Sequence, residues 1–166
     1  MKNLIFLLLI SILILSCSSD EDGSNGRSAY HIARNVEFGV SSPTGIDLLN
    51  PANANAYLEE SIKIYYLQNG EVKEVYNSNA DTPRNFSIVS PEDSGDEKYF
   101  IGIGLNNLVN ENAITYIEWN ETDTDTLRAN FRTGKGYVIL SKTWFNDVLI
   151  FDENTTIQSL PEIIKN

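Results

Sequence analysis

Polar and apolar positions alternate in short runs along the chain, and asparagine, aspartate, glycine and proline separate these runs. Alternation with a period of two is typical of strands that bury one face, and no stretch shows a convincing helical period. Residues 47–57, which are rich in proline, asparagine and alanine, are predicted to form a long connection. Single strands are predicted over 30–40 (with Arg34 breaking the inward set), 85–90, 98–105, 113–120 and 147–152.

A hairpin is predicted over 60–77, where two apolar runs flank Asn69-Gly70. This dipeptide is a strong signal for a tight turn between strands. A two-residue loop would pair Leu67 with Val72 and leave apolar residues on both faces. A three-residue loop with a bulge is favoured, because it places one apolar set on a single face: Ile62, Ile64, Tyr66, Val72 and Tyr76.

A second hairpin is predicted where DTLRANFRT and GYVILSKTW flank Gly134-Lys135. Pairing across this turn gives one mostly apolar and one mostly polar face, as expected for a sheet with one wet side. The predicted inward pairs are Phe131 with Val138, Ala129 with Leu140 and Leu127 with Lys142, and Trp144 also falls inward. The predicted outward pairs are Arg132 with Tyr137, Asn130 with Ile139, Arg128 with Ser141 and Thr126 with Thr143.

These elements amount to roughly eight short strands, which favours a two-sheet sandwich. The predicted fold is therefore an all-β, single antiparallel β-sandwich domain. The segment after Asn154 carries no clear pattern and is left unassigned.

The first residues have the layout of a secretory signal: Lys2 precedes an apolar run over 4–15. That run is too short for a membrane-spanning helix, which needs about 20 residues. Ile14-Leu15-Ser16-Cys17 resembles the bacterial lipobox. The resemblance implies that 1–16 is removed and that Cys17, the single cysteine of the chain, receives a diacylglycerol and further acyl chains such as palmitate.

A short acidic tract follows the cysteine and consists of Ser18, Ser19, Asp20, Glu21 and Asp22. It resembles the export signal of Bacteroidetes lipoproteins, which implies an outer-membrane anchor facing the cell exterior. A solvated spacer on a periplasmic lipoprotein is the alternative. The expected organisation is a signal peptide over 1–16, the acylated cysteine, export tract and flexible tether over 17–27, and the sandwich over 28–166.

The chain carries 12 basic and 23 acidic residues, a net charge of −11. Such a charge repels nucleic acid and anionic membrane surfaces, so no nucleic-acid partner is expected. The expected contact with a membrane is made through the N-terminal lipid. With one cysteine, no internal disulfide is expected, and stability must come from packing.

Four phrases, IDLLNP, IKIYYLQNGEVKEVYN, ITYIEWNETDTDTL and KTWFNDVLIFD, resemble those of small Bacteroidetes surface lipoproteins. The resemblance covers roughly 45–77 and 113–152 of the printed sequence. It implies an immunoglobulin-like or transthyretin-like sandwich, and it carries over no catalytic residue because the family has no assigned activity.

Residues for catalysis or for a cofactor are sparse in the sequence. The single histidine, His31, begins the first strand and is expected at a surface or an edge. No nucleophile motif or phosphate-binding loop is present, so neither enzymatic activity nor a cofactor is expected. A carboxylate pair acting on glycans would leave little local signature and is the enzymatic alternative. Calcium could use the alternating oxygens of Glu121, Asp123 and Asp125, although a solvated hairpin tip is favoured.

The outward face of the second hairpin is the candidate ligand surface, with Arg128, Arg132 and Tyr137. The motif Asp125-Thr126-Leu127 resembles the O-glycosylation site of secreted Bacteroidetes proteins, which makes Thr126 a candidate for modification. The predicted function is a non-catalytic binding module for a polysaccharide or another surface ligand. The alternative is a structural or adhesive accessory that contacts an outer-membrane protein along a sheet edge.

Overall fold

The computed structural model describes residues 30–156 and 159–165. These residues form eleven strands and one short helix, α1 (Pro91–Ser94). Among them, no helix has both the length and the apolar character needed to span a bilayer. The strands are β1 (His31–Ala33), β2 (Asn35–Ser41), β3 (Lys63–Gln68), β4 (Glu71–Glu74), β5 (Phe86–Val89), β6 (Phe100–Gly104), β7 (Ala113–Asn120), β8 (Asp123–Gly134), β9 (Tyr137–Phe145), β10 (Val148–Asp152) and β11 (Glu162–Ile164).

The strands form two sheets that pack face to face, which confirms the predicted all-β sandwich. The larger sheet has the order β1-β9-β8-β7-β3-β4, with β10 also paired to β9. The smaller sheet has the order β11-β2-β6-β5. Two pairings are parallel, β1 with β9 and β11 with β2, so both sheets are mixed rather than purely antiparallel.

The core lies between the two inner faces and follows from the alternation along the strands. In β7 every second residue is buried, from Ala113 to Trp119. Phe38 of β2 packs edge-on against Phe145 of β9 with ring centroids 5.6 Å apart, which joins the two sheets. The largest fully buried side chains are Trp119, Phe38, Leu49, Ile62, Ile64, Ile101, Ile103, Leu105, Ile117 and Leu127.

The predicted first strand is divided at Arg34 into β1 and β2. β1 pairs with β9 of the larger sheet, and β2 pairs with β6 of the smaller one, so the chain crosses between the sheets at this residue. The Arg34 guanidinium stabilises the crossing, because it donates to the Tyr66 hydroxyl at 2.9 Å and to Asn85 Oδ1 at 3.1 Å. His31 is exposed on β1, as predicted for a residue at an edge.

The first hairpin, β3–β4, uses the two-residue loop rather than the favoured three-residue loop with a bulge. Leu67 pairs with Val72, and both Asn69 and Gly70 have positive φ. A turn with positive φ at both central residues matches the twist of the strands, which outweighs the grouping of apolar residues on one face. Val72 is consequently solvent-exposed.

The register predicted for the second hairpin, β8–β9, is also wrong. The turn residues are Lys135 and Gly136, so Gly134 pairs with Tyr137. A bulge at Ser141 then shifts the pairing, since Phe131 pairs with Leu140 but Asn130 pairs with Lys142.

The Ser141 bulge reverses which β9 side chains face inward from that point. Ser141 Oγ donates to the Asn130 carbonyl oxygen at 2.9 Å, which satisfies the acceptor at the disrupted position. Thr143 and Phe145 therefore face the core, whereas Lys142 and Trp144 face solvent instead of the predicted interior. An extra residue in one strand has this effect because side chains alternate with a period of two.

Candidate functional site

The outer face of the larger sheet, meaning the solvent-facing side chains of β3, β7, β8 and β9, carries a row of aromatic residues. Tyr65 of β3 lies opposite Tyr116 of β7, and Tyr116 lies opposite Thr126 of β8. On the next row, Arg128 of β8 lies opposite Trp144 of β9. Strand alternation places these residues outward because their neighbours along each strand fill the core.

Two shallow depressions lie side by side on the outer face, because Tyr116, which lines the first, pairs with Thr126, which lines the second; together they are called the trough. The first has a volume of about 360 Å³ and is lined by Tyr65, Val72, Tyr116, Glu118 and Thr124. The second has a volume of about 250 Å³ and is lined by Ile114, Thr126, Arg128, Asn146 and Asp147. The trough crosses from β4 to the end of β9, which at about 4.8 Å per strand gives a length of roughly 19 Å.

A charged group borders the trough at Glu118. This carboxylate accepts from Lys63 Nζ at 2.9 Å and from the Tyr65 hydroxyl at 3.1 Å. The hydrogen bond from Lys63 is the largest cause that lowers the pKa of Glu118, and the Tyr65 bond adds to it. Glu118 is therefore a carboxylate at neutral pH, able to accept hydrogen bonds from a ligand but not to donate a proton.

The Arg128 guanidinium lies over the Trp144 ring, with its carbon 4.0 Å from the ring centroid. One guanidinium nitrogen is 3.6 Å from Asp147 Oδ1, and another donates to Asn112 Oδ1 at 3.5 Å. Stacking on an aromatic face and several weak polar contacts hold the planar group in one orientation. Its remaining N–H donors are available to a ligand in the trough.

The predicted ligand residues all lie on the outer face, but they do not form one cluster. Arg128 lines the trough, whereas Arg132 and Tyr137 lie nearer the end of the β8–β9 hairpin. The Arg132 guanidinium is 5.4 Å from the Tyr137 ring centroid and 3.1 Å from Glu153 Oε2. The hydrogen bond to Glu153 is the largest cause that raises the pKa of Arg132.

Thr126 lies in the middle of the outer face and is half-buried between Tyr116 and Asn146. Its backbone N–H donates to Asn146 Oδ1 at 2.9 Å. Thr126 lines one of the surface depressions, in keeping with its predicted outward position, whereas the preceding Asp125 is buried. Glycosylation of Thr126 stays a prediction.

Two of the three calcium candidates, Asp123 and Asp125, are arranged around an ammonium group. Lys165 Nζ lies 2.6 Å from Asp123 Oδ1 and also contacts Asp125 Oδ2, whereas Glu121 is exposed and does not take part. Within 30–156 and 159–165, no cluster of three or more histidine, cysteine, aspartate or glutamate side chains is arranged to hold a metal. A single lysine ammonium thus pairs with both carboxylates.

Two aromatic residues complete this acid–lysine cluster, which comprises Tyr57, Trp119, Asp123, Asp125, Asn146 and Lys165. Trp119 Nε1 donates to Asp125 Oδ2 at 2.7 Å, and the Tyr57 hydroxyl donates to Asp123 Oδ2 at 2.6 Å. Burial, followed by the hydrogen bond to Asp123, raises the pKa of Tyr57. Burial acts to raise the pKa of Asp123, but the hydrogen bonds from Lys165 and Tyr57 outweigh it and lower that pKa.

Neither the pair of Tyr65 with Tyr116 nor the acid–lysine cluster was predicted from the sequence. Within each strand, the alternation of the sequence indicates that Tyr65 and Tyr116 face away from the core. That the two residues lie side by side depends on the pairing of β3 with β7, which the sequence does not show. Lys165 lies in the unassigned tail and reaches Asp125 across 40 positions, which no local pattern reveals. Cys17 and the tract from Ser18 to Asp22 lie outside the described residues.

Comparison with known protein families, with curated proteins and with solved structures finds no match for the chain. Function is therefore inferred from the geometry of the outer face.

Proposed function

We propose that the chain is a non-catalytic binding module that holds an extended glycan in the trough of the outer face. The observation that carries this proposal is the combination of Tyr65 and Tyr116 in one row with the stacked Arg128–Trp144 pair beside it. Sugar rings present apolar C–H faces that pack on aromatic rings, and their hydroxyl groups hydrogen-bond to polar side chains. A shallow trough across several strands suits an oligomer better than a compact small molecule.

The polar groups that line the trough fit a neutral polyol. Glu118 and Asn146 offer acceptors, Arg128 offers donors, and Thr124 and Thr126 offer groups that can do both. Because each carboxylate that borders the trough is balanced by a nearby base, the face carries no strong local charge. This balance favours a ligand recognised by hydrogen bonds and stacking.

The lining also argues against glycan hydrolysis. Glycosidases need one carboxylic acid that is protonated near neutral pH, so that it can donate to the leaving oxygen. The pKa of Glu118 is lowered by Lys63, which is the opposite of what that role requires. We therefore propose binding without bond cleavage.

Binding is tested by isothermal titration of the purified protein with a panel of soluble polysaccharides. At least one polysaccharide is expected to bind, and Tyr116→Ala and Trp144→Ala should each weaken binding about tenfold, a loss of about 1.4 kcal/mol. Tyr76→Ala is the matched control, because Tyr76 is an exposed tyrosine outside the trough. Equal weakening by Tyr76→Ala, or no binding across the panel, would count against the trough.

The proposed location is the outer membrane, with a lipid on Cys17 and the sandwich facing the cell exterior. Such a module would present a glycan to an outer-membrane uptake protein, its proposed partner. Cys17→Ser should abolish labelling by radioactive palmitate. Neutralising Asp20, Glu21 and Asp22 together should keep the label but protect the protein from protease added to whole cells. Retained palmitate label in Cys17→Ser would contradict lipidation at Cys17. Unchanged protease sensitivity of the triple variant would contradict the export role of the acidic tract.

A further inference from the structure

The strand β5 has one unpaired edge within the part of the chain that the structure describes. It pairs with β6 on one side and forms the end of the four-stranded sheet. The Gly104 N–H donates to the Asn85 carbonyl at 3.0 Å, which sets the alternation of hydrogen bonds along this antiparallel pair. By that alternation, the backbone N–H and C=O groups of Phe86 and Ile88 point away from β6.

The sequence of the short strand β5 lacks two of the usual protections of an edge strand, charge and proline. Natural edges are blunted by charged side chains or by proline, because unpaired backbone groups template further strand pairing. The edge strand β4 carries Glu71, Lys73 and Glu74, and β11 begins with Glu162. By contrast, the four residues of β5, Phe-Ser-Ile-Val, include no charge and no proline.

A cleft of about 510 Å³ runs beside this open edge. Its lining includes Phe86, Ser87 and Ile88 of β5, the 81–84 loop, the exposed Tyr76, and Glu59 with Glu60. The cleft therefore combines an unpaired strand with space in which a second strand could lie.

The charge of the cleft is negative on the side that faces solvent. Glu59, Glu60 and Asp81 are exposed carboxylates on its wall. The one cation in the lining, Arg84, directs its guanidinium at the wall itself, since Nη1 donates to the Glu60 carbonyl at 2.7 Å and to the Ile62 carbonyl at 3.2 Å. An incoming segment therefore meets three acids beside the open backbone groups.

We propose that the free edge of β5 docks an extended segment of a protein partner, and that this segment carries lysine or arginine. The backbone of the segment adds a strand beside Phe86 and Ile88, and its basic side chains meet Glu59, Glu60 and Asp81. A second copy of the chain fits poorly, because each copy carries a net charge of −11 and would bring the same three acids together. This docking edge is separate from the trough, so it stands whether or not the trough binds a glycan.

The test uses two synthetic hexapeptides, one alternating lysine with valine and one alternating glutamate with valine. The lysine peptide should bind the purified protein at least tenfold more tightly than the glutamate peptide, as measured by isothermal titration. Amide hydrogen exchange at Phe86 and Ile88 should slow when it binds. Absence of a preference for the lysine peptide, or unchanged exchange at both amides, would overturn the proposal.

Charge variants separate local recognition from general attraction to an acidic protein. The triple variant Glu59→Gln, Glu60→Gln, Asp81→Asn should weaken the lysine peptide at least fivefold. The matched control removes three carboxylates outside the cleft, by Glu111→Gln, Glu121→Gln and Asp96→Asn. It should weaken binding of the lysine peptide less than twofold. Equal effects of the two triples would overturn the proposal.

An edge variant tests the backbone contribution. Ile88→Pro removes an outward N–H without removing a bond to β6, and it should abolish peptide binding while the protein still melts cooperatively. If the wild-type protein instead dimerises, with slow exchange at Phe86 and Ile88 before any peptide is added, a second copy occupies the edge and the basic partner is excluded.

Discussion

Replacing Lys165 by methionine should destabilise the sandwich strongly, because it leaves two carboxylates without their counter-charge. The lysine side chain is 11 % exposed and the Asp125 side chain 8 % exposed, so water cannot take over the role of the ammonium. Methionine keeps most of the length and apolar surface of the lysine stem. The substitution therefore isolates the charge from the packing.

The magnitude follows from which contacts survive. Removing one partner of a buried ion pair typically costs about 3–5 kcal/mol. Asp125 keeps hydrogen bonds from Trp119 and Asn146, and Asp123 keeps the bond from the Tyr57 hydroxyl and is partly exposed. These surviving bonds place the expected loss at the lower end, about 3 kcal/mol, which for a domain of this size lowers Tm by roughly 6–12 °C.

Urea unfolding followed by tryptophan fluorescence measures this loss, and Lys63→Met is the matched control. Lys63 also forms a 2.9 Å ion pair, with Glu118, but that pair is considerably more exposed and its loss should matter far less. A similar, small effect of both substitutions would refute the argument that burial of Asp125 sets the cost. Calcium should not raise the Tm of the wild-type protein, because the Lys165 ammonium already lies against both carboxylates where the ion would have to bind, and a rise with calcium would restore the metal-site hypothesis.

Three further predictions concern single side chains. Thr143→Val should raise the free energy of unfolding in urea by about 1 kcal/mol, since Thr143 Oγ1 is buried without a partner among the described residues; a loss of stability would indicate a missed partner. Gly70→Ala should lower the same free energy by about 1–2 kcal/mol, because Gly70 has a φ of 83°; no change would refute the strain argument. Asp123→Asn should cost more at pH 7 than at pH 3 in melting experiments, because the pKa of Asp123 is lowered by folding and its stabilisation disappears as the pH falls below the ordinary aspartate range; an equal cost at both pH values would contradict that.

The class of the fold and most strand positions followed from local pattern. The strand predicted over 113–120 is β7, and the inward residues predicted for β8, Leu127, Ala129 and Phe131, are buried in the observed sandwich. The tight turns at Asn69-Gly70 and Asn146-Asp147 were also recognisable, since these residues tolerate positive φ. Such features depend on residues close together in the chain.

Features that depend on distant contacts were not predictable. The crossing at Arg34 requires Tyr66 and Asn85 as partners, and they lie 32 and 51 positions away. The strand β11 pairs with β2 in parallel across more than 100 positions, and its own sequence of three residues is too short to show a period. The sandwich is confirmed, whereas its resemblance to the immunoglobulin-like or transthyretin-like folds stays a prediction.

The Ser141 bulge connects the error in register to the candidate site. In a regular ladder, Lys142 would face the core, where its charge would be costly, and Trp144 would be buried with it. With one extra residue, Lys142 reaches Asp152 at 2.9 Å on the surface, and Phe145 takes the inward position against Phe38. The same shift turns Trp144 outward beneath Arg128. The bulge thus relieves a buried charge and places an aromatic ring on the outer face, which is why Trp144 could not be assigned to that face before the register of β9 was known.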